Sequence, residues 1–395
     1  MAVETAGEDQ KSLSSLWTDQ RFRAVLFQAL TLGVTGTFLA FIIQNTAANL
    51  ENRGIATGFG FLWSQAGYEL ENTLIEYGPT NTHGRAFIVG LLNTLLVAAV
   101  GIVIATVLGF ILGVLRLTPN WLLSKAVYWY IEIVRNVPLL LQIYFWYAVM
   151  LALPTVRESI DLGFGAFINN RGMQAPAPIF EPGFIAIPIA MLAAVIATVT
   201  LKRWAKKRQE TSGQIFPVFW AGTALVIGLP ILAYFAAGMP LDFEIPELGR
   251  FRFVGGFTVS PEFVALLLAL STYTAAFIAE IVRAGILAIS HGQTEAAYAL
   301  GIKPSWTMRL IIIPQALRVV VPPLTSQYLN LTKNSSLGVA IGYPELVATL
   351  SGITLNQTGQ AVECIAITMA VYLTISLLIS FFMNIYNRRI ALVER

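Results

Sequence analysis

An all-α integral membrane protein with about eight transmembrane helices is the fold class that this sequence predicts. Three observations carry it. Of the 395 residues, 56% are hydrophobic and only 12% are charged, half of the roughly 25% charged residues of an ordinary soluble domain. Apolar runs long enough to cross a hydrocarbon layer of ~30 Å recur along the chain. The runs are unbroken rather than alternating, which favours helices over a barrel, because lipid offers no water to an open backbone.

The first run, 24–43, has 20 uncharged positions, more than the ~7–15 of a secretory signal core, and reads as a retained span. Further runs lie at 86–115, 126–153, 183–201, 214–241, 263–279 and 364–387. An eighth candidate, VVVPPLTSQYLNLTKNSSLGVAIGY at 319–343, holds Lys333, a proline pair and many hydroxyls. Hydropathy alone leaves it open.

Basic residues decide the parity. With eight spans, sixteen Lys and Arg fall on one side, among them Lys11, the 202–208 cluster, Lys303, Arg309 and Arg395. Six fall on the other, Arg53, Arg85, Arg157, Arg171, Arg250 and Arg252, together with most of the loop acids. The positive-inside rule puts the richer side, and with it both termini, in the cytoplasm. If 319–343 did not cross, Arg388, Arg389 and Arg395 would land outside. The outer segments 44–85, rich in Gly, and 154–182, with its APAPIFEPG turn cluster, do not read as folded domains.

Several chemistries are excluded. A formal charge of +3 is too small to imply nucleic acid, and the cations are sorted by membrane side rather than gathered on a face. Cys364, the single cysteine, sits in an apolar run and reads as a buried, inert thiol. No Gly-Lys dipeptide occurs, so there is no Walker loop. His83 and His291 have no partner set for a metal and read as surface histidines. No catalysis by this chain is expected.

Residues 291–315, HGQTEAAYALGIKPSWTMRLIIIPQ, are too polar to span. Good helix formers at 294–300 stop at Gly301, a C-cap residue, and Lys303-Pro304-Ser305 restarts a helix that runs to a break at Pro314. Two short helices on the cytoplasmic side result. From the residues alone they are either an amphipathic connector lying at the interface or an element for a partner to hold.

The spacing adds a resemblance. Glu295-Ala296-Ala297, three residues, Gly301, nine residues, then Ile311-x-Ile313-Pro314 resembles the EAA loop of binding-protein-dependent ABC importer permeases. The flanking text, AEIVRAGILAISHGQTEAAYALG and IIIPQALRVVVPPLTSQYLNLTKNSSL, with GLLNTLLVAAVGIVIATVLGFILGVLRL and IEIVRNVPLLLQIYFWY upstream, is similar to the polar amino-acid uptake branch (histidine, glutamine and general L-amino-acid systems). It covers roughly 88–150 and 260–387. The added spans between them resemble the enlarged permeases of general L-amino-acid or glutamate/glutamine/aspartate systems.

The resemblance implies a type I ABC importer permease core with extra spans, in a bacterial inner membrane. It divides the chain into 1–87 (cytoplasmic N-terminus, first span, external loop), 88–387 (transmembrane domain, with 151–259 inserted and 291–315 as the coupling loop) and a cytoplasmic tail at 388–395. It implies an ABC ATPase dimer that carries ATP and Mg, a second permease subunit or a second copy of this chain, and a periplasmic amino-acid binding protein. No cofactor is expected on this chain. Glu295, Ala296, Ala297, Gly301, Ile311 and Pro314 would form the coupling element.

Charges inside spans are costly and commonly face a pathway or a partner. EIVR occurs twice, at 132–135 and 280–283, setting an acid and a base three apart on one helical face. Glu132 with Arg135 and Asn136, and Glu280 with Arg283, are therefore expected to gate or brace the inner mouth, against the plainer reading of pairs snorkelling to headgroups. Lys333, Asn334 and Ser335 are expected beside the translocation path, because so polar a span survives best inside protein. Asn93 and Gln142 are weaker candidates, equally suited to hydrogen-bonding between helices.

Two other functions compete, an ion-coupled secondary amino-acid carrier and an assembly subunit that carries nothing. ATP depletion separates the first: an ABC permease loses uptake, whereas a carrier loses it to a protonophore and keeps it without ATP.

Overall fold

The computed structural model describes residues 20–390 apart from 53, 55 and 251. Lys11, Arg53 and Arg395 of the charge count, the first nineteen residues and the end of the 388–395 tail lie outside the described residues. The helices are α1 (Gln20–Asn52), α2 (His83–Leu115), α3 (Trp121–Asn136), α4 (Leu139–Leu151), α5 (Ala186–Ser212), α6 (Val218–Ala236), α7 (Pro261–Leu287), α8 (His291–Ala299), α9 (Pro304–Thr307), α10 (Ile313–Asn334), α11 (Leu355–Thr358) and α12 (Ala361–Ile390). Seven helical stretches among the described residues are long and apolar enough to cross a membrane, or eight if the bent pair α3 and α4 makes one crossing.

The core is α2 packed against α7, with α4 and α10 on its flanks. Lipid tails are as apolar as side chains, so helices associate in a membrane through close packing, which small residues permit. Helix α2 supplies them: Gly101, Ala105, Gly109 and Gly113 recur one turn apart and are buried. A methyl group added at Gly109 would lie 2.5 Å from the Cβ of Ile278, and one at Gly113 would lie 2.7 Å from the Ala279 carbonyl. Both numbers rise along both helices, so α2 and α7 run parallel. Helix α10 and the 3-10 segment that follows it, Ser335–Ile341, run the other way along α7, with Gly285 facing Val320 and Gly338 facing Leu266. These directions are the ones that eight spans require.

The third expected span, 126–153, is not one straight helix. Its halves α3 and α4 meet at 109°. Pro138 has no N–H to donate and holds Val137 extended (φ −95°, ψ 130°). The Gln142 amide fills the gap by donating to the carbonyls of Val134 and Val137 at 2.8 and 2.9 Å. Gln142, on α4, therefore mends the bend by hydrogen-bonding across it to α3.

The eighth expected span is present, as the continuous stretch Pro304–Ile341, which ends in a 3-10 segment, Ser335–Ile341. The expected break at Pro314 is absent. A π-helical turn, Met308–Ile312, widens the helix just before the proline, where the missing N–H would otherwise orphan a carbonyl. His83 is also not the surface residue expected: it is 3% exposed at the start of α2, with Nδ1 3.2 Å from the Thr354 hydroxyl. Cys364 is buried, as read.

The inserted region carries more order than its turn-rich sequence suggests. Strands β1 (Ile160–Gly163), β2 (Ala166–Asn169), β3 (Gly172–Ala175), β4 (Ala177–Phe180), β5 (Leu241–Glu244), β6 (Glu247–Leu248), β7 (Phe253–Val254) and β8 (Phe257–Val259) flank the hairpin of α5 and α6. A sheet in the order β1-β2-β3-β8 pairs Met173 with Val259 and so ties the segment before the hairpin to the segment after it. The pair β4 and β5 repeats the tie. Helices α5 and α6 pack mainly on each other, and α1 keeps its large side chains exposed, as lipid-facing helices do.

If the α2 and α7 contact sets the fold, Gly109→Leu lowers the thermal midpoint of the solubilised protein markedly, by overpacking that costs about 1–3 kcal/mol. Gly36→Leu on α1, where nothing lies within 4 Å, leaves the midpoint unchanged.

Candidate functional site

At the end of α7 the chain leaves the bundle through the loop that the sequence singles out. Ser290 caps α8, its hydroxyl accepting from the Gly292 N–H at 3.3 Å. The far end closes in a Schellman turn: Ile302 N–H donates to the Ala297 carbonyl at 3.0 Å and Gly301 N–H to that of Tyr298 at 2.9 Å. Gly301 has φ +72°, with open space around its Cα. Its requirement is thus backbone conformation, and no neighbour crowds it. Lys303 is extended and Pro304 opens α9 at its first position.

Only part of the motif faces outward. Glu295 and Ala296 are exposed, whereas Ala297 is 2% exposed, on the side of α8 that faces the other arm of the loop. Ile311 lies in the π-helical turn and is half-buried, and Pro314 is exposed. The Gln315 amide reaches the Gln293 side chain at 3.2 Å and ties the two arms of the loop together. Sequence reasoning missed the apolar part of the exposed face, made by Tyr298, Leu300, Trp306, Met308 and Leu310. The signal was there, since so many large apolar groups in a polar loop are hard to leave in water.

Beside the loop, the two EIVR copies behave differently. Glu280 is held on both sides: Arg283 donates to Oε1 through Nε at 3.0 Å and through Nη2 at 2.5 Å, and Arg116 donates to Oε2. Arg116 closes the C-terminal end of α2 and lies over the Tyr128 ring of α3 at 5.1 Å. One carboxylate therefore joins α2, α3 and α7. In the other copy Glu132 and Arg135 form no ion pair among the described residues. Arg135 lies 5.2 Å over the Phe277 ring of α7, and Asn136 donates to the Glu132 backbone carbonyl at 2.7 Å. The second acid is thus left half-buried without a base. Arg116 was legible only as a loop cation, because its partner lies 164 residues away.

Hydroxyls in the polar span serve the backbone. Ser335 is fully buried and donates to the Thr332 carbonyl at 2.7 Å, and Ser336 to that of Lys333 at 2.7 Å. Lys333 is exposed and Asn334 is half-buried at the end of α10. Just beyond, Glu345 is fully buried, a residue that sequence reasoning passed over. It accepts from the N–H groups of Val347 and Ala348 at 2.7 and 2.8 Å, capping a π-helical segment, and from the Tyr372 hydroxyl at 3.1 Å. Asn93 donates to the Pro344 carbonyl at 2.9 Å, so it holds this turn to α2.

The whole is a polytopic helical bundle with a capped loop that leaves an apolar face exposed. The chain belongs to the family described as binding-protein-dependent transport system inner membrane components, matched over residues 184–392. It is 50% identical over 385 residues to the general L-amino acid transport system permease protein of Rhizobium johnstonii, covering 97% of this chain and 96% of that one. It is 45% identical over 416 residues to the glutamate/glutamine/aspartate/asparagine transport system permease protein of Rhodobacter capsulatus, covering 97% of each. Among solved structures, a crystal structure of an amino acid ABC transporter with histidines aligns with TM-score 0.46 and 20% identity, covering 78% of this chain and 95% of that one.

The asymmetry between the EIVR copies is testable. Glu280→Ala strands Arg116 and Arg283 without their shared anion and lowers the thermal midpoint, because half-buried cations lose their compensation. Glu132→Ala removes no ion pair and leaves the midpoint within error. Equal effects of the two would contradict the geometry.

Proposed function

We propose that this chain is a membrane permease subunit through which L-amino acids enter a bacterial cell, driven by ATP hydrolysis on partner subunits. The observation that carries this reading is the projecting loop, in which Gly301 sets two short helices at an angle and leaves Glu295, Tyr298, Leu300 and Trp306 exposed. The substrate class is supported by the names of relatives that match it nearly end to end.

In this reading the loop seats in a cleft of an ABC ATPase dimer, which binds ATP and Mg. Ala296 and Gly301 allow close approach, and Glu295 supplies a polar anchor. The helix from Pro304 to Ile341 carries a displacement of the loop into the span that contains Lys333, Asn334 and Ser335. ATP binding then biases the bundle between inward-open and outward-open states through contacts that differ between the two. The cluster of Arg116, Glu280 and Arg283, with Arg135 nearby, braces the inner mouth. A second permease subunit or a second copy completes the path, and an external binding protein delivers the amino acid. The inner membrane, with both termini cytoplasmic, is the setting that the charge asymmetry supports.

Two outcomes are expected. In a reconstituted complex, Gly301→Val lowers ATP-driven uptake at least tenfold, since a β-branched residue resists φ +72°, whereas an asparagine there, tolerant of this region, is milder. Uptake unchanged in Gly301→Val and in Glu295→Lys would overturn the reading. For sidedness, Ser212→Cys is reached by an impermeant maleimide only from the cytoplasm and Leu162→Cys only from outside. The native thiol, buried at Cys364, stays silent.

A further inference from the structure

Helix α7 runs 27 residues, about 40 Å at 1.5 Å per residue, from Pro261 to the loop just described. At its starting end lies an open cleft of about 830 Å³. The opening of α7 and the outer loop line one part of it with Glu71, Asn72 and Glu262. The insertion lines another with Arg171 and Arg252. A second hollow of about 610 Å³ continues from it and shares the same three residues of the first wall.

The charges in this cleft remain apart. Arg171, Arg252 and Glu71 are exposed and form no side-chain ion pair or hydrogen bond among the described residues. Glu262 is half-buried and accepts only from the Tyr147 hydroxyl, at 3.0 Å. Asn72 is fixed by the Ser260 N–H, which donates to its Oδ1 at 3.2 Å. The acidic wall is thus anchored to α4 and α7, while the basic wall belongs wholly to residues 151–259. Opposite charges that line one wet cleft without meeting are satisfied together by a small molecule that carries both signs.

We infer that the insertion and the outer loop together form a holding site for the head group of an α-amino acid, Glu71 and Glu262 facing its ammonium and Arg171 and Arg252 its carboxylate. Guanidinium groups suit this task because their planar fork matches a carboxylate. The cleft is far larger than one head group, so the side chain of the ligand is left unconstrained and recognition falls on the part that all α-amino acids share. The inference rests on the proposed sidedness and substrate class, and it gives the insertion a role that a compact permease core would lack.

The test uses the complete transporter in nanodiscs without its binding protein or ATP, and measures equilibrium binding of radiolabelled L-glutamine. The double variants Arg171→Gln/Arg252→Gln and Glu71→Gln/Glu262→Gln are each expected to weaken binding at least tenfold while keeping the wild-type thermal midpoint. Glu71→Gln alone, at an exposed position, serves if the second pair disturbs folding. N-acetylglutamine, which lacks the ammonium, and 4-aminobutanamide, which lacks the carboxylate, are expected not to compete. Wild-type binding in every variant overturns the inference, and so does, in a separate co-sedimentation of the same nanodiscs with the purified binding protein, loss of that association with glutamine binding intact, which makes the cleft a protein dock. If the wild-type complex with all its partners imports no amino acid, the substrate reading fails first and takes this inference with it. Import that persists beside unaltered binding in the variants removes the holding site alone.

Discussion

The structure depends on how closely α2 can approach α7. In a bilayer no hydrophobic effect pushes helices together, so contact has to come from shape. Gly109 and Gly113 leave no room for even a methyl group against Ile278 and Ala279. Two consequences follow from that approach. The parallel register delivers Arg116, at the end of α2, to Glu280 on α7, and it leaves α7 a second face on which α10 packs in the opposite direction through Gly285. The loop at the end of α7 is then held between two rigid helices, one entering it and one leaving.

That continuity bears on coupling. Had the chain broken at Pro314, the loop would hang from a hinge. Instead a π-helical turn absorbs the proline, and the stretch runs on to Ile341. The arm of the loop that begins at Pro304 is therefore joined to the bundle by a helix rather than by a break in the chain. Glu345 and Asn93 pin the other end of the same helix by capping the next segment and gripping its turn.

Much of this was legible before any coordinates. Spans were legible because apolar length is a local property. The cap at Gly301 follows from residue chemistry within one turn of chain. What stayed hidden was non-local. Strand pairing between β3 and β8 joins segments on either side of an intervening hairpin, and turn-forming residues such as those around Pro176 and Pro178 mask short strands. Arg116 looked like one more loop cation and His83 like a surface residue, and Glu345 drew no notice, because burial is decided by partners far away in sequence. The bend at Val137 was signalled by Pro138, but the long apolar run on either side outweighed it.

The central claim is that the exposed face of residues 291–313 meets a nucleotide-hydrolysing partner. Site-specific cross-linking measures this most directly. A photoreactive side chain placed at Leu300, 79% exposed, is predicted to cross-link to the ATPase subunit in native membranes, with a yield that changes on adding ATP. The same probe at Ile215, 81% exposed at the tip of the inserted hairpin, is predicted to give no such product. Absence of an ATPase adduct at Leu300, in membranes that still take up substrate, would contradict the account.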